Sequence, residues 1–395
     1  MDNIKNLIIR SAESILPEVI RIRRHLHMHP ELSYKENATS AFIRNYLDNM
    51  GIEHISGVAG TGIVGIIRGT HPGRGRTIGL RADMDALPVT EIEGKEYRSK
   101  NTGVMHACGH DSHVAMLLGT ATILHQRISE FAGTILLVFQ PGEEKAPGGA
   151  KLMIESGVFD SFKPSIFIAQ HVLPGITSGT VGYRGGPYMA SCDEIYITVK
   201  GKGGHAAQPS TYTDQIYIAS DLVLALKDTV NKAAEEKAPT VFAIGNISGI
   251  GATNVIPGTV DLAGTFRTFD EEWRNAAKEI IRDVAERVAK KYGIEIIVNI
   301  VEGYPVLIND EKTTLKAFEL SKELLGEERV LEMPVRMGSE DFSFFSVRYP
   351  SVLFRLGITP PGTEPQSLHT PSFDIDESAM VTGIANMTWL ALKML

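Results

Sequence analysis

The sequence predicts an α/β layer protein that carries an inserted unit of ferredoxin-like (βαββαβ) order. Strand-length apolar runs alternate with stretches of helical spacing over the first half of the chain. Between residues 192 and 301 the order becomes strand, helix, two strands, helix, strand. After Tyr304-Pro305 the first alternation resumes, so one domain interrupts another.

Ile4, Leu7, Ile8, Ile15, Val19, Ile22 and Leu26 have helical spacing, which predicts helix from the start of the chain, broken in two at Pro17 and ended by Pro30. A helix over 36–50 stops at Gly51, a residue suited to a left-handed C-cap. Strands over 62–68 and 77–82 flank the turn THPGRGR. A helix over 112–125, a strand over 134–140, a helix over 149–155 and a strand over 165–171 follow. The inserted segment reads as strand 194–200, helix 213–227, strands 240–247 and 259–269, helix 271–292 and strand 295–301. Helices over 311–325 and 377–393 complete the outer domain, and no fixed-period repeat is present.

At about 150 residues per domain, 395 residues make two or three domains, and 43% hydrophobic with 22% charged residues is a globular composition. The net charge of −8 argues against a nucleic-acid or anionic-membrane partner, since both need a basic face. Arg21, Arg23 and Arg24 read as a solvated helix face. No apolar run approaches the ~18 residues needed to span a bilayer. The opening MDNIKNLIIRSAES carries charges where a signal peptide needs an apolar stretch. Two cysteines, Cys108 and Cys192, are too few for a disulfide framework, so a cytoplasmic location is expected.

Nine of the twelve histidines precede residue 126, which directs the search for chemistry to the first half. HACGHDSH, residues 106–113, is the densest run of donors, and thiolate with imidazole suits zinc or a comparable transition metal. His113 also reads as a helix-face residue. Glu143 and Glu144 follow the apolar strand TILLVF, where one carboxylate could bind metal and the other take a proton. His171 ends another strand and His369 lies in a Pro/Gly-rich loop; each alone is as consistent with a structural histidine. Asp83 and Asp85 either orient a ligating imidazole or cap a turn. His205 in GKGGHAA either donates to an oxyanion or marks an exposed turn. The GxGxxG at residues 60–65 is followed by strand rather than helix, so it is no nucleotide site. Of His25, His27 and His29 only the first and last share a helix face, and a polar helix end accounts for them.

Taken together, RRHLHMHPELSYKE, RADMDALP, HACGHDSH, QPGEE, GKGGHAAQP, TNVIPGTV, GTFRTF, GYPVLIND, GSEDFSFF and SLHTPSFDID resemble a known family in content and order. It is the N-acyl-amino-acid amidohydrolase branch of the dinuclear aminoacylase/carboxypeptidase metallopeptidases. The resemblance spans nearly the whole chain and implies a mixed-sheet, helix-flanked catalytic domain at residues 1–186 and 306–395. A lid/dimerisation domain is then inserted at 187–305. It further implies that Cys108, His110, Glu144, His171 and His369 hold two divalent ions, zinc or manganese, with cobalt or nickel as alternatives. Glu143 matches the general base and Asp85 the carboxylate that steadies the site. His205 matches a lid histidine that reaches the active site of the partner subunit in relatives. Asn254 and Arg267 match lid residues that hold the substrate.

The implied chemistry is metal-assisted amide hydrolysis of an N-acyl-L-amino acid. Glu143 takes the proton of the attacking water and returns it to the leaving amine, and His205 stabilises the oxyanion. A carboxypeptidase or dipeptidase acting on short peptides is the rival within enzymes; a catalytically silent binding protein on the same scaffold is the rival outside them. The implied assembly is a homodimer through the lid domain, with a tetramer as the alternative.

Overall fold

The structure, a computed structural model, describes residues 2–395. It divides into two compact units. The first takes in the described chain up to Gly186, Ile308–Pro334 and Asp341–Leu395; the second comprises Pro187–Leu307 and Val335–Glu340.

The first unit is built on an eight-stranded mixed sheet. Its strands are β1 (Glu53–Val58), β2 (Gly62–Arg68), β3 (Thr77–Asp83), β4 (Thr134–Gln140), β5 (Ile166–Thr177), β6 (Val181–Tyr183), β7 (Val330–Glu332) and β8 (Ser351–Thr359). They lie in the order β1-β2-β4-β3-β5-β8-β6-β7. The central run β4-β3-β5-β8 is parallel, and β1, β2 and β4 pair antiparallel. The helices are α1 (Asp2–Met28), α2 (Asn37–Met50), α3 (His110–His125), α4 (Gly149–Glu155), α5 (Glu311–Leu325), α6 (Ser343–Arg348) and α7 (Ala379–Met394).

β4 reads TILLVFQ and is buried from its second residue onward, as a parallel-sheet strand covered on both faces must be. Its alternate side chains Ile135, Leu137 and Phe139 join the core made with α1, α3 and α7. Phe167 of β5 lies outside that cluster and packs on Phe159 and on Phe345 of α6, with ring centroids 5.3 and 4.5 Å away. Gly79 of β3 makes room for this ring: a Cβ there would stand 2.2 Å from Phe167 Cε1.

α1 departs from expectation at two points. It runs unbroken through Pro17, because Ile8, Ala12, Val19, Ile22 and Leu26 on either side are buried in one core. That burial outweighs the ~3 kcal/mol an interior proline costs. Arg23 is not solvated but wholly buried. Its guanidinium meets Asp111 at 2.8 Å, Asp374 at 2.7 Å and Glu377 at 3.2 Å. Positions 19, 22, 23, 26 and 27 follow the i, i+3, i+4, i+7, i+8 pattern of a single helix face, so Arg23 and His27 point inward with the apolar residues. His27 bridges Asp111 at 2.8 Å and Glu91 at 3.0 Å.

The second unit has a four-stranded antiparallel sheet ordered Thr240–Ser248, Thr259–Thr268, Asp193–Lys200, Glu295–Glu302. Helices Gln215–Ala234 and Glu271–Tyr292 share one apolar cluster with alternate strand residues such as Ile195, Ile197, Val199, Val260 and Leu262. Along the chain the four strands of this sheet and the two helices follow the order βαββαβ. Among the described residues no helix is long and apolar enough to cross a membrane.

Two outcomes follow for stability. Gly79→Ala should cost about 1–3 kcal/mol by overpacking Phe167, read as a lower thermal midpoint; an unchanged midpoint would remove the steric account. Arg23→Met should cost about 3–5 kcal/mol, since it strands buried carboxylates. Burial alone would raise the Asp111 carboxyl, but Arg23 and His27 outweigh it and hold it far below its usual range. The unfolded chain therefore binds more protons below about pH 4, so wild-type stability should fall as the pH drops past that point. The fall should be shallower in Arg23→Met, which a pair of thermal titrations would show.

Candidate metal centre

Three neighbouring parallel strands deliver polar side chains to one end of the sheet, the usual place for sites in such folds. β3 ends at Asp83, with Asp85 two residues on; β4 ends at Gln140, with Glu143 and Glu144 beyond it; β5 carries His171. The loop into α3 supplies Cys108, and His110 is the first residue of that helix. Gly109 joins them at φ +85°, where an added Cβ would sit 2.6 Å from Val172 Cγ2, so only glycine fits. His369 comes from the loop between β8 and α7, also with positive φ, its amide held by Ala107 O at 2.8 Å.

These donors converge. Cys108 Sγ lies 3.5 Å from His171 Nε2 and 3.4 Å from His369 Nε2, and His369 Nε2 lies 3.3 Å from Glu144 Oε1. Cys108, His110 and His171 form one triad with ligand atoms within 4.8 Å of one another. Cys108, Glu144 and His369 form a second, so the same sulfur belongs to both. A third group joins His110 to Glu143 and Glu144. His110 Nε2 and Glu144 Oε1 are buried without a hydrogen-bond partner among the described residues. Buried lone pairs left unsatisfied and aimed at one spot suit a cation, and thiolate, imidazole and carboxylate together suit a divalent transition metal.

The imidazoles are oriented for that task. His110 Nδ1 donates to Asp85 O at 2.9 Å and His171 Nδ1 to Val172 O at 2.7 Å, which leaves each Nε2 lone pair facing inward. Burial pushes the Cys108 thiol up from its ordinary value. His369, beside the Cys108 sulfur and the Glu144 carboxylate, is raised to about 10 and is the one exposed member of the set.

Asp85 fixes the acidic loop. Its Oδ1 accepts the Glu143 amide at 3.1 Å, and its Oδ2 accepts the Glu144 amide at 3.0 Å and the Ser33 hydroxyl at 2.6 Å. Glu36 extends the clamp: its Oε1 accepts the amides of Gly142 and Tyr34, and its Oε2 the Thr61 hydroxyl. Ser33 and Glu36 are positions to which the sequence reading gave no role. Their partners, the Asp85 carboxylate and the Gly142 amide, are brought up only by the fold, so the local sequence carries no signal for either. His113, read as a helix-face residue, is buried and bonded to Asp83 at 2.6 Å.

His205, Asn254 and Arg267 all lie in the second unit. There the bridge Val255–His205 and the Ala206 amide on Asn254 O (3.0 Å) bring His205 and Asn254 together. Both are exposed, while half-buried Arg267 donates to Met337 O at 3.0 Å.

Comparison with known proteins matches residues 79–393 to the model of peptidase family M20/M25/M40. The chain is 39% identical over 382 residues to thermostable carboxypeptidase 2 of Saccharolobus solfataricus, covering 95% of each. It is 38% identical over 364 residues to N-acetyl-L-cysteine deacetylase of Bacillus subtilis, covering 92% of this chain and 85% of that one. Among solved structures it resembles the Bacillus subtilis YXEP protein, described as a dinuclear metal-binding M20 peptidase. That match has a TM-score of 0.82 at 32% identity and covers 97% and 99% of the two chains. The chain therefore belongs to peptidase family M20/M25/M40 and is a metal-dependent amidohydrolase or peptidase of that family.

Proposed function

We propose that the chain hydrolyses the amide bond of N-acyl-L-amino acids such as acetyl or benzoyl derivatives. Two divalent ions, zinc or manganese, would be held by Cys108, His110, Glu144, His171 and His369, with cobalt or nickel as alternatives. The observation that carries this is the Cys108 sulfur shared by two donor triads, with buried Glu143 alongside on a loop fixed by Asp85. Similarity to a protein named N-acetyl-L-cysteine deacetylase supports an acyl substrate. The second reading, cleavage of short peptides from the C-terminal end, is favoured by the similarity to thermostable carboxypeptidase 2.

The chemistry two such ions supply when bound is polarisation of the scissile carbonyl and acidification of water. Glu143 is one residue from ligand Glu144, and its amide is pinned to Asp85, so its carboxylate is presented at a fixed point. There it takes a proton from the attacking water and later passes it to the leaving amine nitrogen. His205 Nδ1 accepts the Ala207 amide at 3.1 Å, so its proton sits on Nε2. An exposed Nε2–H can donate to the developing oxyanion. Arg267 is chemically suited to the substrate carboxylate, with Asn254 as a neutral hydrogen-bonding partner for substrate.

A homodimer through the second unit completes the proposal. Strand Thr240–Ser248 is a sheet edge, and Ile247, Ile250 and, on the nearby helix, Tyr217 and Leu224 are exposed apolar residues.

Three outcomes test this. Rates on acetyl-, benzoyl- and dipeptide substrates, with zinc, manganese and cobalt added in turn after chelation, should be highest on an acyl-amino acid and vanish without metal. Preference for dipeptides would select the carboxypeptidase reading. Glu143→Ala should keep its metal content while kcat falls by at least 100-fold, roughly what general acid–base help contributes; wild-type turnover would exclude it as the base. Light scattering should give twice the chain mass, and Ile247→Lys with Leu224→Glu should halve it. A monomeric wild type would remove the dimer.

A further inference from the structure

Next to the groups described above lies another set of donors: Asp83, His110 and His113 have ligand atoms within 4.8 Å of one another. Its hydrogen bonds speak against an ion. The Val172 amide donates to His113 Nε2 at 3.0 Å, so that nitrogen's lone pair is occupied and the proton is on Nδ1. That proton is held by Asp83 Oδ1 at 2.6 Å. Asp83 Oδ2 in turn receives Arg81 Nη1 at 2.6 Å, and Arg81 continues to Asp341 and Gln140. A cation here would have to displace a peptide donor and sit beside a guanidinium.

The Val172 amide has a structural reason to need His113. The ladder between β3 and β5 ends at Arg81–Ala169, three residues short of Val172, so no β3 partner reaches it. That amide is the peptide bond leaving His171, whose ring Nδ1 is tied to Val172 O at 2.7 Å. The His113 ring also packs edge-on to the His171 ring, 4.7 Å between centroids. The backbone and the ring of His171 are therefore both set at Val172, whose amide donates to His113.

We propose that His113 is a positioning residue: it accepts a hydrogen bond from the Val172 amide at Nε2, donates one from Nδ1–H to Asp83, and so aims His171 at the metal site without binding metal itself. This rests on the two-ion reading above, and the test separates the two. His113→Gln keeps an acceptor at about the reach of Nε2; His113→Asn keeps a donor near Nδ1 and leaves the Val172 amide unpaired. Zinc content and affinity, read by competition with a chromogenic chelator, should be two ions per chain in wild type and in His113→Gln, with affinities within about threefold. His113→Asn should still take two ions, one of them bound about 10- to 100-fold more weakly, as expected when a ligand's orienting partner is lost. Loss of one ion in His113→Gln would make His113 a ligand, and wild-type affinity in His113→Asn would leave it no role; either overturns the proposal. Wild type binding no zinc would overturn the two-ion reading and this inference with it. A histidine side-chain 15N spectrum of the zinc-loaded enzyme, with His113 assigned by its absence in the Gln variant, needs no Asn variant to fold. It should show the Nδ1-protonated tautomer, and an Nε2-protonated or zinc-bound ring would refute the assignment.

Discussion

The Asp85 carboxylate joins parts of the chain that are far apart in sequence, and the geometry of the site depends on it. One residue orients the His110 ring through its backbone carbonyl and fixes two successive amides, Glu143 and Glu144, through its two oxygens. Ser33 satisfies a remaining lone pair. Burial opposes this charge, yet the His110 ring 3.3 Å away and the hydrogen bonds from Ser33 and the Glu144 amide hold the carboxyl below its ordinary value. Polar groups so buried are costly when partly satisfied and rigid when fully satisfied. Asp85 is of the second kind, so His110, Glu144 and Glu143 share a single reference point.

A second buried network sets where α3 begins. Asp111, in the first turn of α3, faces Arg23 and His27 from α1. A carboxylate at a helix N-terminus is favoured by the exposed amides there, and here it also carries two lateral partners. α1 is thereby tied to the turn that presents Cys108 and His110. Arg23 reaches on to Asp374 and Glu377, just past His369, so one guanidinium holds both ends of the ligand-bearing chain.

Much of this was legible in the sequence where a single physical signal dominated. TILLVF could only be a strand buried on both faces, Gly51 took the left-handed cap, and HACGHD announced metal chemistry in one short run. What stayed hidden depended on tertiary context. The break expected at Pro17 is absent because the core covers both halves of α1. Arg23 passed for a surface residue because charge was weighed above its position on the helix face. β8 was not anticipated at all, although SVLFRLGIT is buried along almost its whole length; Arg355 and Gly357 broke up an apolar run that the neighbouring strands complete. The isolated histidines His171 and His369 had no local signal of their own, and only the resemblance gathered them. Glu36 acts on backbone amides, which leave no trace in residue identity, and Ser33 acts on the Asp85 carboxylate, which only the fold brings beside it.

The parallel order β4-β3-β5 explains why such scattered donors can meet. Parallel neighbours end on the same side, so residues that follow β3 and β4 and a residue within β5 converge without any strand reversing direction. The β3–β5 ladder ends early, and this opens the sheet where His113 and Asp83 enter. There and in the loop beyond β4, peptide groups that the sheet does not pair are met by side chains: His113 on the Val172 amide, Asp85 on the Glu143 and Glu144 amides, and Glu36 on Gly142. Among the buried polar atoms without a hydrogen-bond partner in the described residues are His110 Nε2 and Glu144 Oε1, which belong to the donor triads. The loop amides are met within the protein, whereas these two acceptor atoms face the cluster with lone pairs that suit a cation.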